Sequence, residues 1–203
     1  MKKLKLIAIM AVLLGAAAPA FSIAQLGVQG NYTSLTFDSS TSSGSVSNKY
    51  SGVGFGAFAR FTAGIPLLIT FGAGPFMDYG TIKGGPATAP ESTHLRVGGE
   101  LVVYADVVGN IIGVVPYGRF GYGYEGNSTK TTIGTVTTDY LYYGSTGHTL
   151  FGLTLKVLPL IYVFAEGGIQ WSSLTVPSEI KALGVSDVST TGWRASIGAM
   201  LWI

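Results

Sequence analysis

The strongest constraint on this chain is a two-residue alternation that confines charge to one parity. In the closing segment "GWRASIGAMLWI", Trp193, Ala195, Ile197, Ala199, Leu201 and Ile203 fall on one face. Gly192, Arg194, Ser196, Gly198, Met200 and Trp202 fall on the other. A period of two is the period of a β-strand, whose successive side chains point to opposite sides, so the segment reads as strand and not helix. The apolar face must be buried against a core or against lipid, and the face carrying Arg194 must find water or an opposite charge.

The same alternation runs along the chain. Val53, Phe55, Ala57, Ala59 and Phe61 alternate with Gly52, Gly54, Gly56, Phe58 and Arg60; Leu95, Val97, Leu101 and Val103 alternate with His94, Arg96, Glu100 and Val102. Phe151, Leu153 and Leu155 alternate with Gly152, Thr154 and Lys156, and Val163, Ala165, Ile169 and Trp171 with Phe164, Glu166 and Gln170. Weaker alternations over 26–37, 68–80 and 114–125 bring the number of strands to eight. Short apolar links ("GIPLL", "VVGNIIG", "VLPLI") alternate with long polar ones at 38–48, 81–93, 126–147 and 174–189. An even strand number with short turns at one end and long loops at the other predicts an all-β fold, an eight-stranded antiparallel up-and-down transmembrane β-barrel.

Composition selects lipid over a soluble sandwich. Only 11% of residues are charged and 47% are hydrophobic, where soluble domains carry roughly 25% charge. A sandwich also needs more charge on its second face than "GVGFGAF" or "GIQWSS" supplies. Membrane helices find little support, because the best apolar stretch, "LFGLTLKVLPLIYVFAEGGI", is interrupted by Lys156 and Pro159.

Residues 1–24 read as an export leader: Lys2, Lys3 and Lys5, an apolar run, then small residues with Ser22 and Ala24 where a signal peptidase would cleave, after Ala24. Its removal leaves a barrel domain over 25–203 with nine basic and ten acidic residues, a net charge of −1. A near-neutral chain offers nucleic acid no electrostatic handle. The absence of cysteine excludes a lipoprotein anchor, a disulfide framework and thiolate metal sites.

In such a barrel the apolar parity faces lipid, where an arginine would cost about 2–4 kcal/mol near the midplane, so the charged parity must face the lumen. The predicted lumen set is Arg60, Asp78, Arg96, Glu100, Asp106, Arg119, Glu125, Lys156, Glu166 and Arg194, nearly balanced in sign. Glu100 and Arg119 are expected to face each other across a turn centred near Asn110, and Asp78 and Arg96 to pair on neighbouring strands. Such pairs either plug the barrel and hold its register or line a narrow gated path. An eight-stranded ring is only about wide enough for side chains to fill it, which favours the plug. Against this, lumen-parity glycines (Gly52, Gly54, Gly56, Gly72, Gly74, Gly121, Gly123 and Gly168) leave space for large side chains or water. On the lipid parity, Tyr79, Tyr124, Trp171 and Trp193 lie near the long-loop ends of their strands, where an aromatic girdle belongs.

Leader, eight alternating strands, loop asymmetry and apolar closing strand together resemble the small outer-membrane barrel superfamily, of the OmpA, OmpX and opacity-protein kind. The resemblance covers 26–203 by pattern. It implies residence in the outer membrane of a diderm bacterium, outer-membrane lipid as surroundings, and delivery by the barrel-assembly machinery through the C-terminal strand. That machinery recognises a terminal phenylalanine in most members, whereas this chain ends Trp202-Ile203. It further implies a surface scaffold whose long loops meet host, phage or environmental ligands. The alternative is a narrow channel for small solutes or hydrophobic molecules, as the similar OmpW group is thought to provide.

Other motifs carry less. "GYGYEG" (121–126) has the spacing of a dinucleotide loop but precedes no helical pattern. His94 and His148 are expected at the wet rim beside long loops, with no serine or aspartate at a recognisable catalytic spacing and too few ligands for a structural zinc. No enzyme activity, cofactor or metal is therefore expected. The loop 126–147 is expected to continue its strands as a hairpin, lifting Tyr140, Leu141, Tyr142 and Tyr143 into the head-group layer as a binding patch. The loop 38–48, low in complexity, is expected to be mobile.

Overall fold

The computed structural model describes residues 23–41, 44–65, 68–84, 91–106, 113–133, 136–182 and 184–203. Eight strands follow in chain order: β1 (Ile23–Thr41), β2 (Gly44–Ile65), β3 (Ile69–Gly84), β4 (Glu91–Tyr104), β5 (Val114–Ile133), β6 (Val136–Leu158), β7 (Ile161–Thr175) and β8 (Val185–Trp202). A single helical turn, α1 (Ser178–Lys181), interrupts the last long connection. Each strand pairs antiparallel with its neighbours in sequence, and β1 pairs with β8 to close the ring. Closure is completed by reciprocal backbone bonds between Ala24 and Ile203, each 2.9 Å. A closed ring has no open edge to leave unsatisfied in a solvent that cannot hydrogen-bond.

The strands are longer than the alternation alone suggests. About 9–11 tilted residues cross a bilayer core, yet β2 has 22 residues and β6 has 23. The surplus lies at the long-loop end, where the expected loops are largely sheet. Of the segment expected to be mobile, 38–48, the described residues are paired across β1 and β2, from Phe37↔Asn48 to Thr41↔Gly44. Serine- and threonine-rich sequence lacks a hydrophobic period but can still form a ladder when β8 supplies a second neighbour, as in Asp38↔Ser189. The hairpin of β5 and β6 extends to Ile133↔Val136, as its threonine-rich alternation anticipates. The leader reading falls outside the described residues as far as 22; Ile23 and Ala24 are already part of β1.

The two faces are inverted relative to a soluble protein. Phe55, Phe61, Leu101, Phe151, Ile169 and Ile197 are exposed on the outside, Ile197 by 70%, while Arg96, Arg119, Arg194, Glu125 and His148 are among the most deeply buried side chains. An apolar exterior of this extent is stable only against lipid. Toward the short-turn end an aromatic cluster fills the ring: Phe58, Phe76, Tyr104, Tyr117, Phe164 and Met200, with Tyr162 and Trp202 packed against it.

Candidate functional site

The interior is best followed down one strand. From the long-loop end of β4 the inward row runs Ser92, His94, Arg96, Gly98, Glu100, Val102, Tyr104, passing from hydroxyl through charge to an aromatic floor. The inward rows of the strands together place four arginines (Arg60, Arg96, Arg119, Arg194) and four carboxylates (Asp78, Glu100, Glu125, Glu166) in the lumen, all of them buried.

The charges form two linked groups. Arg194 of β8 reaches across to Asp78 of β3 as a two-pronged pair, Nη1 to Oδ2 at 2.6 Å and Nη2 to Oδ1 at 2.8 Å. Gln29 of β1 donates to the same carboxylate at 3.0 Å. Arg96 stands 3.8 Å from Asp78 and 3.6 Å from Glu125, and donates to Gln170 of β7 at 2.7 Å. Glu125 also accepts from Ser172 at 2.5 Å and from Asn127 at 2.8 Å. In the second group Glu100 is shared between Arg60, at 2.6 Å, and Arg119, at 2.9 Å. Arg119 continues to Glu166 at 2.9 Å and to Gln29 at 3.0 Å. Gln29 therefore joins the groups, and Tyr104 and Tyr117 connect them to the floor through Arg60 (3.1 Å) and Glu166 (2.9 Å).

Glycine makes room for this layer. A Cβ on Gly56 would lie 2.1 Å from Asp78 Oδ1, and one on Gly121 would lie 2.3 Å from the His148 ring. The space left by these inner-wall glycines is taken by large polar side chains from neighbouring strands.

Several sequence expectations change in detail. Arg119 faces Val102 rather than Glu100, which lies opposite Gly121. The ion pair forms along the diagonal, because a long arginine reaches one inward position along the neighbouring strand. Asp78 and Arg96 are direct register partners, yet the closest cation to Asp78 is Arg194. Lys156 is not part of the layer: it has lumen parity but lies at the short-turn end of β6, exposed, its ammonium 5.9 Å from the Tyr162 ring. Parity fixes the face of a residue, not its depth. Asp106 also sits past the end of β4, half-buried, accepting from Thr70 at 2.5 Å.

The histidines are not at a wet rim. His148 is fully buried, edge-on to Phe76 with centroids 5.0 Å apart, and 3.4 Å from the guanidinium groups of both Arg96 and Arg119. His94 is 4% exposed. Both have the inward parity of a paired strand: β6 begins at Val136, well before His148, and β4 at Glu91, before His94. The proposed tyrosine patch is divided by the same period of two. Leu141 and Tyr143 face outward, whereas Tyr140 and Tyr142 are half-buried on the inner parity and Tyr142 turns toward the mouth. Tyr79, Tyr124 and Trp193 are exposed on the outer face and Trp171 is half-buried on it, with Tyr32 beside Trp193 at 5.2 Å and Phe55 beside Tyr79 at 5.5 Å. Among the described residues no group of three metal-ligating side chains occurs.

A closed ring with lipid outside and a charged, side-chain-filled lumen defines the class: a small eight-stranded transmembrane β-barrel. In its overall course the chain is similar to the crystal structure of Neisserial surface protein A, at 17% identity and a TM-score of 0.45, over 87% of this chain and 96% of that one. It is also similar to the outer membrane protein OprG from Pseudomonas aeruginosa (14%, TM-score 0.38, 90% and 97%). A third similar structure is Ail, the attachment invasion locus protein of Yersinia pestis, in complex with the heparin analogue sucrose octasulfate (12%, TM-score 0.41, 88% and 99%). No family model matches the sequence, and no curated protein does.

Proposed function

We propose that this protein is a non-enzymatic outer-membrane barrel that acts as a closed platform, holding its extended hairpins at the cell surface where they meet external ligands. On this reading the leader through Ala24 is removed on export, the mature ring closes through the β1–β8 ladder that begins at Gln25↔Trp202, and the barrel-assembly machinery receives the chain through β8. The observation that carries the platform reading is the filled lumen: contacts such as Arg194 to Asp78, Arg96 to Gln170 and Phe58 to Phe164 bridge strands that are not neighbours. A solute path would have to break several charge-assisted hydrogen bonds at once, in surroundings where each is stronger than in water.

The test is planar-bilayer conductance of the refolded chain beside its Glu100→Gln and Arg119→Gln variants. A silent native barrel supports the platform. A reproducible unit conductance that changes in the variants would overturn it and make the charge layer the lining of a narrow channel.

A further inference from the structure

Above the charge layer the ring opens into a cavity of about 210 Å³ at the long-loop end, lined from seven strands, with Phe37 and Tyr50 on one side and Asn127, Thr129 and Tyr142 on the other. At the ~30 Å³ that a water occupies in the liquid, this is room for about seven waters, or for one hexose-sized ring. It is smaller than the pockets that take drug-sized ligands, roughly 300 Å³ and above. None of the side chains lining it is charged.

One side of its polar wall offers acceptors. Asn127 is 1% exposed; its amide nitrogen donates to Glu125 at 2.8 Å, which fixes the orientation of the group, and its Oδ1 has no hydrogen-bond partner. The Thr129 hydroxyl donates to Ser92 at 2.9 Å, and the Ser92 hydroxyl donates to the Ser128 carbonyl at 3.2 Å. Both protons are therefore engaged, and what these groups can still offer is lone pairs. Facing them, Phe37 and Tyr50 pack edge to face at 4.8 Å, a rigid amphipathic surface.

From this arrangement we infer that the mouth is a binding site for a neutral sugar, one ring of a glycan, with ring hydroxyls donating to Asn127 Oδ1 and Thr129 Oγ1 and a C–H face resting on the aromatic side chains. These acceptors, together with the Asn48 amide and the Tyr50 and Tyr142 hydroxyls that also line the cavity, suit a ligand rich in O–H groups, each of which both donates and accepts. A lining without charge gives neither an anion nor a cation a counter-ion. The inference rests on the platform reading, since it takes the charge layer as the floor of the site.

The test is a titration of the isotope-labelled full chain, refolded in lipid nanodiscs, with glucose, galactose and N-acetylglucosamine, followed by backbone amide shifts. Tetramethylammonium chloride and sodium sulfate serve as charged controls. Saturable shifts at Asn127, Thr129 and Tyr142 with at least one sugar are expected. Asn127→Ala should weaken binding about tenfold, the size of one hydrogen bond. Because Asn127 also supports Glu125, Tyr142→Ala provides a second loss that leaves the charge layer intact. Leu101→Ala, on the lipid-facing side of β4, should leave the affinity unchanged. Absence of saturable shifts with all three sugars, unchanged affinity in both mouth variants, or saturation by a charged probe in place of the sugars would overturn the inference. Conductance of the same preparation separates the two ideas: a silent barrel that binds no sugar removes the sugar site alone, whereas a conducting one removes the platform.

Discussion

Replacing Asp78 with alanine is the most direct probe of the charge layer. The carboxylate is 1% exposed and is held by both prongs of Arg194, by Gln29 and, more distantly, by Arg96. Two opposite charges about 4 Å apart attract by about 4 kcal/mol at an effective dielectric of about 20. Removing one partner of a buried pair costs about 3–5 kcal/mol, because the surviving charge stays desolvated. Both lines of reasoning place the loss at about 4 kcal/mol, close to a thousandfold in the folding equilibrium. It can be read from urea unfolding in lipid vesicles by tryptophan fluorescence, with Trp171, Trp193 and Trp202 as reporters. The double variant Asp78→Ala with Arg194→Met should recover part of the loss, since a pair removed together leaves no unmatched charge. A loss below about 1 kcal/mol, or strictly additive single losses, would refute the claim that Asp78 is the electrostatic anchor of Arg194.

Three further outcomes follow from the same geometry. Ile197→Arg, which places a cation on the lipid face in mid-strand, should cost about 2–4 kcal/mol in the same unfolding assay, whereas Leu141→Arg on the extended hairpin should cost under about 1 kcal/mol. Gly56→Ala should weaken folding and displace the Asp78 pair, because its Cβ would meet Oδ1 at 2.1 Å, while Gly30→Ala, with open space around it, should fold as the native chain does. Outside the membrane, the hydrogen bond from Lys181, and then that from the Val176 amide, holds the Asp187 carboxyl below the usual carboxylate range. With its folded pKa depressed, the stabilisation it gives the α1 connection is present above the ordinary aspartate value and is lost as pH falls through the folded one. The protection factor of the Val176 amide, taken relative to intrinsic exchange at the same pH, should therefore fall in acid, and Lys181→Met should reproduce that fall at neutral pH.

Much of the fold is legible in the sequence because a β-strand maps parity directly onto face. Once Arg194, Arg96, Glu100 and Glu166 share a parity that excludes Ile197, Leu101 and Ile169, the inside and outside of the ring follow, and lipid is the only solvent compatible with the second set. Turn asymmetry then sets strand number and direction. The polar ends of the strands are less legible: 38–48 carries no hydrophobic period, and its ladder exists because β2 and β8 are both present to pair with β1.

Depth and partnership were decided only in three dimensions. Lys156 and Arg60 have the same parity, but one reaches solvent and the other an ion pair, because one lies at the end of a strand and the other within the ring. His148 is buried because its strand starts at Val136, and Tyr142 parts from Tyr143 because the sheet continues past the membrane. The selection of Arg194 by Asp78 joins residues 116 positions apart on strands that are not neighbours. No local pattern encodes such a contact. It arises when the ring closes at a diameter that lets opposite walls touch, so alternation along the chain determines what enters the lumen, and closure determines what each side chain meets there.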